Sequence, residues 1–159
     1  MAIEKVREYL RQFGAQEEIR ELAQSSATVE LAAQALGTQP ERIAKSLTFR
    51  LEERVIMVVA AGDARIDNAK YKHYFGGKAH MLAFEEVEPA IGHAVGGVCP
   101  FGINPGVEVY LDESLRRFET VFPACGSGNS AIERTLPRLE EYARPQGWVD
   151  VCKGWQTEE

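Results

Sequence analysis

The amino-acid sequence predicts an α+β fold, a single domain over residues 1–159 in which helices surround a mixed, largely antiparallel β-sheet. Three observations predict it. From Lys45 the chain alternates, with Leu47, Phe49 and Leu51 on one face and Ser46, Thr48 and Arg50 on the other, the period-two pattern of a strand. A polar turn, Glu52-Glu53-Arg54, then leads into Val55–Ala61, an apolar run suited to a strand buried on both faces. Helical spacing brackets these strands: Ile3, Val6, Leu10 and Phe13 recur at three- and four-residue steps, and Thr135 can cap a last helix through Tyr142.

The remaining elements follow in order. Gly14 can close the first helix, because glycine adopts the left-handed conformation that ends helices. Thr28 is an N-cap for a second, with Glu30 in its first turn and Gly37 past its end. Pro40 can open a short third helix. Asp67 caps a helix to Phe75 that Gly76-Gly77 ends. Ala79–Ala83 reads as a strand, and Phe84–Ile91 as a helix interrupted near Pro89. Val107, Val109 and Leu111 alternate with Glu108 and Tyr110 as in a half-exposed strand. Phe118–Phe122 and Trp148–Val151 are further strands, and no repeat, low-complexity tract or linker interrupts the chain.

Composition narrows the class. A 159-residue chain can bury a proper core, and 45% hydrophobic with 26% charged residues is the balance of an ordinary globular domain. The longest apolar run, Val55–Ala61, is too short to span a bilayer, so no membrane partner is expected. The chain does not open on a charged-then-apolar leader, and a cytoplasmic location is the default expectation. Three cysteines without a CxxC pair argue against a disulfide framework and against zinc, leaving Cys125 and Cys152 as packed thiols. A net charge of −6 is unlike that of broad nucleic-acid binders. The basic residues Arg65, Lys70, Lys72 and Lys78 share one segment with only Asp67 against them. Such a run is either a solvated face or a local patch for one charged end of a nucleic acid, bound with strong salt dependence.

Two features carry chemistry. His93-Ala-Val-Gly-Gly-Val-Cys-Pro-Phe-Gly102 is a loop in which glycines permit close backbone approach and Pro100 stiffens the exit. Amides exposed there, around Gly96, Gly97 and Val98, could hold a carbonyl or oxyanion; the same pattern also suits a plain connection between strands. If the strand starts at Lys45, its ammonium shares the apolar face and needs an anion or carbonyl to meet it. If the strand starts one residue later, the lysine reaches solvent instead. The sequence holds no GxSxG elbow, no HExxH and no cluster with metal-ligand spacing, so no cofactor or metal is called for.

Taken together, these segments resemble the YbaK/ProX family of bacterial aminoacyl-tRNA deacylases, relatives of the editing insertion domain of prolyl-tRNA synthetases. Thr28–Gly37 is similar to the family's early helix, Arg42–Phe49 to its Ile-x-Lys-Ser/Thr-Leu strand, Val95–Gly102 to its Gly-x-x-x-Pro loop with Gly96 and Pro100 as fixed points, and Gly126-Ser-Gly-Asn-Ser130 with the helix after Thr135 to its closing segment. The resemblance implies a barrel-like YbaK/ProX fold. It implies hydrolysis of mischarged aminoacyl-tRNA bearing a small amino acid, of the alanine, serine, threonine or cysteine class. Loop amides of Gly96, Gly97 and Val98 would hold the aminoacyl carbonyl, and Lys45 the tRNA 3′ end. Thr28, His93, Cys99, Pro100, Gly126 and Asn129 would contact substrate. A ribose hydroxyl of the tRNA would help activate water. Aminoacyl-tRNA, met at its acceptor end, is the implied partner, with an aminoacyl-tRNA synthetase open as a second.

Two departures stand out. Ala131 occupies a position where some family members carry Asp, with Asn129 and Ser130 as the nearest polar substitutes. Cys99 stands where a hydroxyl residue is common, which opens a second mechanism with Cys99 as nucleophile and His93 as base. A rival class is a non-catalytic module that binds an aminoacyl or tRNA 3′ end.

Overall fold

The computed structural model describes residues 2–156. Helix α1 (Ala2–Leu10) buries Ile3, Val6 and Leu10, runs on as a 3₁₀ turn through Phe13, and stops at Gly14, whose φ of 68° is left-handed. A two-residue strand β1 (Arg20–Glu21) follows, then α2 (Val29–Leu36), where Thr28 Oγ1 accepts the Leu31 amide and Gly37 ends the helix. The segment at Pro40–Arg42 is a single 3₁₀ turn. Strands β2 (Ile43–Leu51) and β3 (Arg54–Ala61) pair antiparallel along their whole length, with Lys45 opposite Ala60. Then come β4 (Arg65–Ile66) and α3 (Asn68–Phe75), whose first amides, Ala69 and Lys70, bond the Asp67 carboxylate.

Helix α4 (Phe84–Ile91) precedes the glycine loop, and β5 (Glu108–Asp112) follows it. The chain closes with β6 (Thr120–Pro123), β7 (Ser130–Ala131), β8 (Arg134–Thr135), α5 (Leu136–Ala143), β9 (Gly147–Val149) and β10 (Cys152–Lys153). The main sheet has six strands in the order β8-β6-β2-β3-β5-β9. It is mixed: β2-β3 and β6-β8 are antiparallel, while β2-β6, β3-β5 and β5-β9 are parallel. The barrel-like core takes the form of an open half-barrel, since among the described residues β8 and β9 do not pair with each other. Two small antiparallel pairs, β1-β7 and β4-β10, lie beside it.

Four expectations need correction. Ala79–Ala83 is no strand: it touches β2 through one bridge, Phe49 to Met81, and through the bonds Arg50 N to His80 O and Leu82 N to Thr48 O. It cannot pair further because the chain turns into α4 at Ala83, whose amide the Glu86 carboxylate accepts. Pro89 does not interrupt α4, which continues to Ile91; Asn104 Nδ2 donates to the Pro89 and Ala90 carbonyls and satisfies that end. Strand β5 is not half-exposed, because it lies between β3 and β9 and buries Val109 through Asp112. The expected strand Trp148–Val151 is β9 ending at Val149, with β10 beginning after Val151.

Candidate active site

Strand β2 starts at Ile43, two residues before Lys45, because Ile43 and Ala44 pair in parallel with Phe122 and Pro123 of β6. Lys45 is therefore within the strand and half-buried. Its ammonium donates to the carbonyls of Gly62, at 3.2 Å, and of Ala64, in the turn between β3 and β4. Gly62 is required there by space: a Cβ on it would lie 2.0 Å from the Pro40 carbonyl oxygen. Burial holds the Lys45 pKa below the ordinary lysine value, against the opposing pull of Cys152, Asp63 and Glu30. Two protein bonds leave the ammonium with donor capacity for a ligand.

Lys45 lines a cavity of about 360 Å³ bounded by α2, β2, the start of α4, the glycine loop and β7. Among the described residues lining it, Lys45 is the sole titratable side chain. The rest of the wall is mostly apolar, from Val29, Leu47, Val87 and Phe122 for example, and the residues Ser26, Thr28, Ser46, Thr48 and Ser130 also line it. Met81, Phe84 and Val95 also line it yet are 64%, 77% and 50% exposed, an apolar rim open to solvent.

The loop contributes Gly96 and Val98 to the wall. Gly96 has φ of 97° and closes a turn in which the Gly97 amide donates to the Ala94 carbonyl at 3.0 Å. That amide is therefore spent within the loop. Among the described residues no protein acceptor bonds the amides of Gly96 or Val98. Gly97 instead packs against the closing segment: its carbonyl accepts the Gly126 amide, and a Cβ on it would lie 2.5 Å from the Gly126 carbonyl carbon and the Ser127 nitrogen.

The other expected contacts separate into two groups. Thr28 lines the cavity while its hydroxyl caps α2. His93, Cys99, Pro100, Gly126 and Asn129 do not line it. His93 and Cys99 are fully buried behind the loop, where His93 Nε2 donates to the Phe101 carbonyl at 2.7 Å and Cys99 Sγ lies 3.6 Å from the same nitrogen. The pair does meet, but burial pushes the thiol up to about 12 and lowers the imidazole, so neither the thiolate nor the cavity needed for a nucleophile is available. Asn129 is exposed and ties the closing segment to Leu22 through bonds of 2.7 and 3.2 Å. Gly126 is packed against α1, where a Cβ would strike the Ala2 carbonyl oxygen at 2.8 Å.

Ala131 lines the cavity, so the departure at this position changes its wall directly. The nearby Glu133 does not replace an acid there: it accepts Arg20, Arg42 and Thr120, which hold its carboxyl below the usual range. Sequence reasoning missed Ser26, Ser46, Thr48 and Phe84 as cavity residues. Alternation placed Ser46 and Thr48 opposite the apolar set, but nothing in the sequence marked Ser26 or Phe84. Of the basic run, Arg65, Lys70, Lys72 and Lys78, none lines the cavity, and Lys70 is bonded to Asp150 and the Cys152 carbonyl.

Comparison with known proteins gives the family and the fold. Residues 23–141 match the model of the aminoacyl-tRNA editing domain, and the chain belongs to that family. It is 53% identical over 157 residues, 98% of its own length and 100% of the relative's, to the uncharacterized protein YwhH of Bacillus subtilis. It is 27% identical over 117 residues, 73% of this chain, to proline–tRNA ligase of Bacillus cytotoxicus, and spans only 20% of that enzyme. A crystal structure of a candidate trans-editing enzyme for prolyl tRNA synthetase superposes with a TM-score of 0.86 at 31% identity, covering 96% of this chain and 98% of the other. Hypothetical protein APE2540 superposes with a TM-score of 0.84 at 27% identity, over 94% and 99% of the two chains. Among the described residues no helix is long and apolar enough to cross a membrane.

Proposed function

We propose that the chain is a trans-editing deacylase, one that hydrolyses the ester of a small amino acid mischarged onto tRNA. The observation that carries this reading is that a carbonyl-anchored Lys45 lines one cavity together with Gly96 and Val98, residues whose amides no protein acceptor bonds among the described residues. In the reaction the oxygen of water attacks the ester carbonyl carbon, and the carbonyl oxygen becomes an oxyanion. Free amides preset at that oxygen stabilise it as charge develops. The tetrahedral species then breaks its bond to the ribose oxygen, which leaves with a proton, giving free amino acid and tRNA. The resemblance to the aminoacyl-tRNA deacylases implies that a ribose hydroxyl of the tRNA helps activate the water, a role for which the described lining residues offer no carboxylate, imidazole or thiol. Lys45 takes the tRNA 3′ end, through the phosphate of the terminal nucleotide, with its remaining donor capacity.

Trans-editing has a physical rationale, since a missing methylene gives a synthetase only about 1–3 kcal/mol of discrimination. Similarity to part of a proline–tRNA ligase supports proline tRNA as a first carrier to try and a synthetase as the source of the mischarged ester. This substrate would be met in the cytoplasm. The test is a panel of labelled aminoacyl-tRNAs in which amino acid and tRNA vary independently. We expect first-order deacylation of small residues and little on proline, leucine or phenylalanine. Binding to one member without turnover of any would support a non-catalytic module instead.

A further inference from the structure

We infer that Arg117 is a positioning residue for the Lys45 ammonium, acting through Asp63 to hold the turn whose carbonyls aim it. The inference rests on the deacylase reading above and names a residue outside the cavity on which that site depends. Asp63 lies between Gly62 and Ala64, whose carbonyls both accept the ammonium. Its carboxylate is held on both oxygens by one guanidinium: Arg117 Nη1 donates to Oδ2 at 3.0 Å and Nη2 to Oδ1 at 2.6 Å. A bidentate pair of this kind fixes direction as well as distance. Neither residue lines the cavity.

Arg117 is itself held in place. It ends the 3₁₀ segment Glu113–Arg117, between β5 and β6. Its Nε donates to the Ser114 carbonyl at 3.0 Å, and Nη1 donates also to the Trp155 carbonyl at 3.2 Å. The guanidinium carbon lies 4.7 Å from the Phe118 ring centroid and 5.2 Å from that of Trp155. The side chains of Arg117 and Asp63 are 24% and 29% exposed, so this pair is screened less than one on the open surface. The same segment grips the turn at a second point, where Ser114 Oγ accepts the Ala61 amide at 3.1 Å. The Asp63 charge is also felt at Lys45. With both oxygens on Arg117, that carboxylate is kept from becoming the counter-ion of the ammonium, whose spare donor capacity stays open to substrate.

The experiment compares the wild-type chain with Arg117→Met and Arg117→Lys, each alone and combined with Lys45→Met. Two readouts are taken. One is the nitrogen NMR resonance of the Lys45 ammonium, identified by its absence from Lys45→Met. The other is single-turnover deacylation of a small aminoacyl ester on tRNA, with protein in excess. We expect Arg117→Met to shift or broaden the ammonium resonance and to slow deacylation at least fivefold. Arg117→Lys, which keeps the charge but not the planar fork, should fall between. It carries the comparison if Arg117→Met does not melt cooperatively. In the Lys45→Met background the Arg117 substitutions should change the rate less than twofold, because the group they position is gone. A general loosening of the fold would cost the same factor in both backgrounds. That result, or a Lys45 resonance that the folded Arg117 variants leave unchanged, overturns the inference and leaves the deacylase reading standing. No turnover of any ester by the wild-type chain overturns that reading and this inference with it.

Discussion

Lys45 is the residue on which the proposed chemistry turns. A buried ammonium is costly, which by itself would leave stability unchanged or raised on its removal. The structure adds two carbonyl partners, in the turn at Gly62 and Ala64, that lose a donor when it goes. Lys45→Met, which keeps the aliphatic stem, should therefore cost about 1–3 kcal/mol, the worth of hydrogen bonds to a charged group, while deacylation falls at least tenfold. Urea melts and initial rates on the same preparation separate the two effects, and near-normal rates would remove Lys45 from the mechanism. Cys99→Ser should retain substantial activity, because the thiol is sealed behind the loop; a dead variant that still melts cooperatively would reinstate the covalent route. His93 supplies a pH signature. Burial depresses its pKa below the ordinary value of 6.5, so between the two values the unfolded chain binds more protons. Stability should thus fall as pH drops through about 6.5, and His93→Gln, which keeps a donor for the Phe101 carbonyl, should flatten that slope in thermal melts.

At the scale of elements, the cavity depends on loops that lock one another. Gly97 is flush against the Gly126–Ser127 backbone, so Gly97→Ala should unsettle both segments and lower stability together with activity. The substitution therefore reports packing, rather than the approach of substrate that the sequence suggested. Gly62 is constrained in the same way by Pro40, and through that turn it sets the position of the Lys45 ammonium. The start of α4 acts differently. Phe84 is 77% exposed beside the cavity mouth, an aromatic face available to a terminal base. Phe84→Ala should leave the thermal midpoint nearly unchanged and raise KM about tenfold, within the roughly 1–3 kcal/mol of base–aromatic stacking. An unchanged KM on intact aminoacyl-tRNA would show that the base lies elsewhere.

Across the whole molecule, a net charge of −6 and a cavity with one lysine imply that little of the tRNA body is held. The basic run, which the sequence left as either a solvated face or a local patch, lies outside the cavity, with Lys70 already paired. Salt dependence should accordingly be shallow. Each single-strand phosphate neutralised contributes a slope of about −0.7, so a plot of log binding constant against log salt should fall with a slope of about −1 to −2. A much steeper slope would indicate a basic footprint beyond the cavity. The sequence by itself determined the long elements, because each carries its own local signal: periodicity in α1, β2 and β3, caps at Thr28, Asp67 and Thr135, and glycine stops at Gly14, Gly37 and Gly76. It also marked Lys45 and the Gly96 loop, since a lysine in an apolar alternation and a Gly-Gly-x-x-Pro run are locally anomalous. Only the tertiary structure decided which strands pair in parallel, which amides of the loop stay unbonded, and which serines share a wall with Lys45. Those outcomes depend on contacts between segments far apart in the chain, Gly97 with Gly126 and Ser26 with Gly128 among them, and such contacts leave no spacing in the sequence to read.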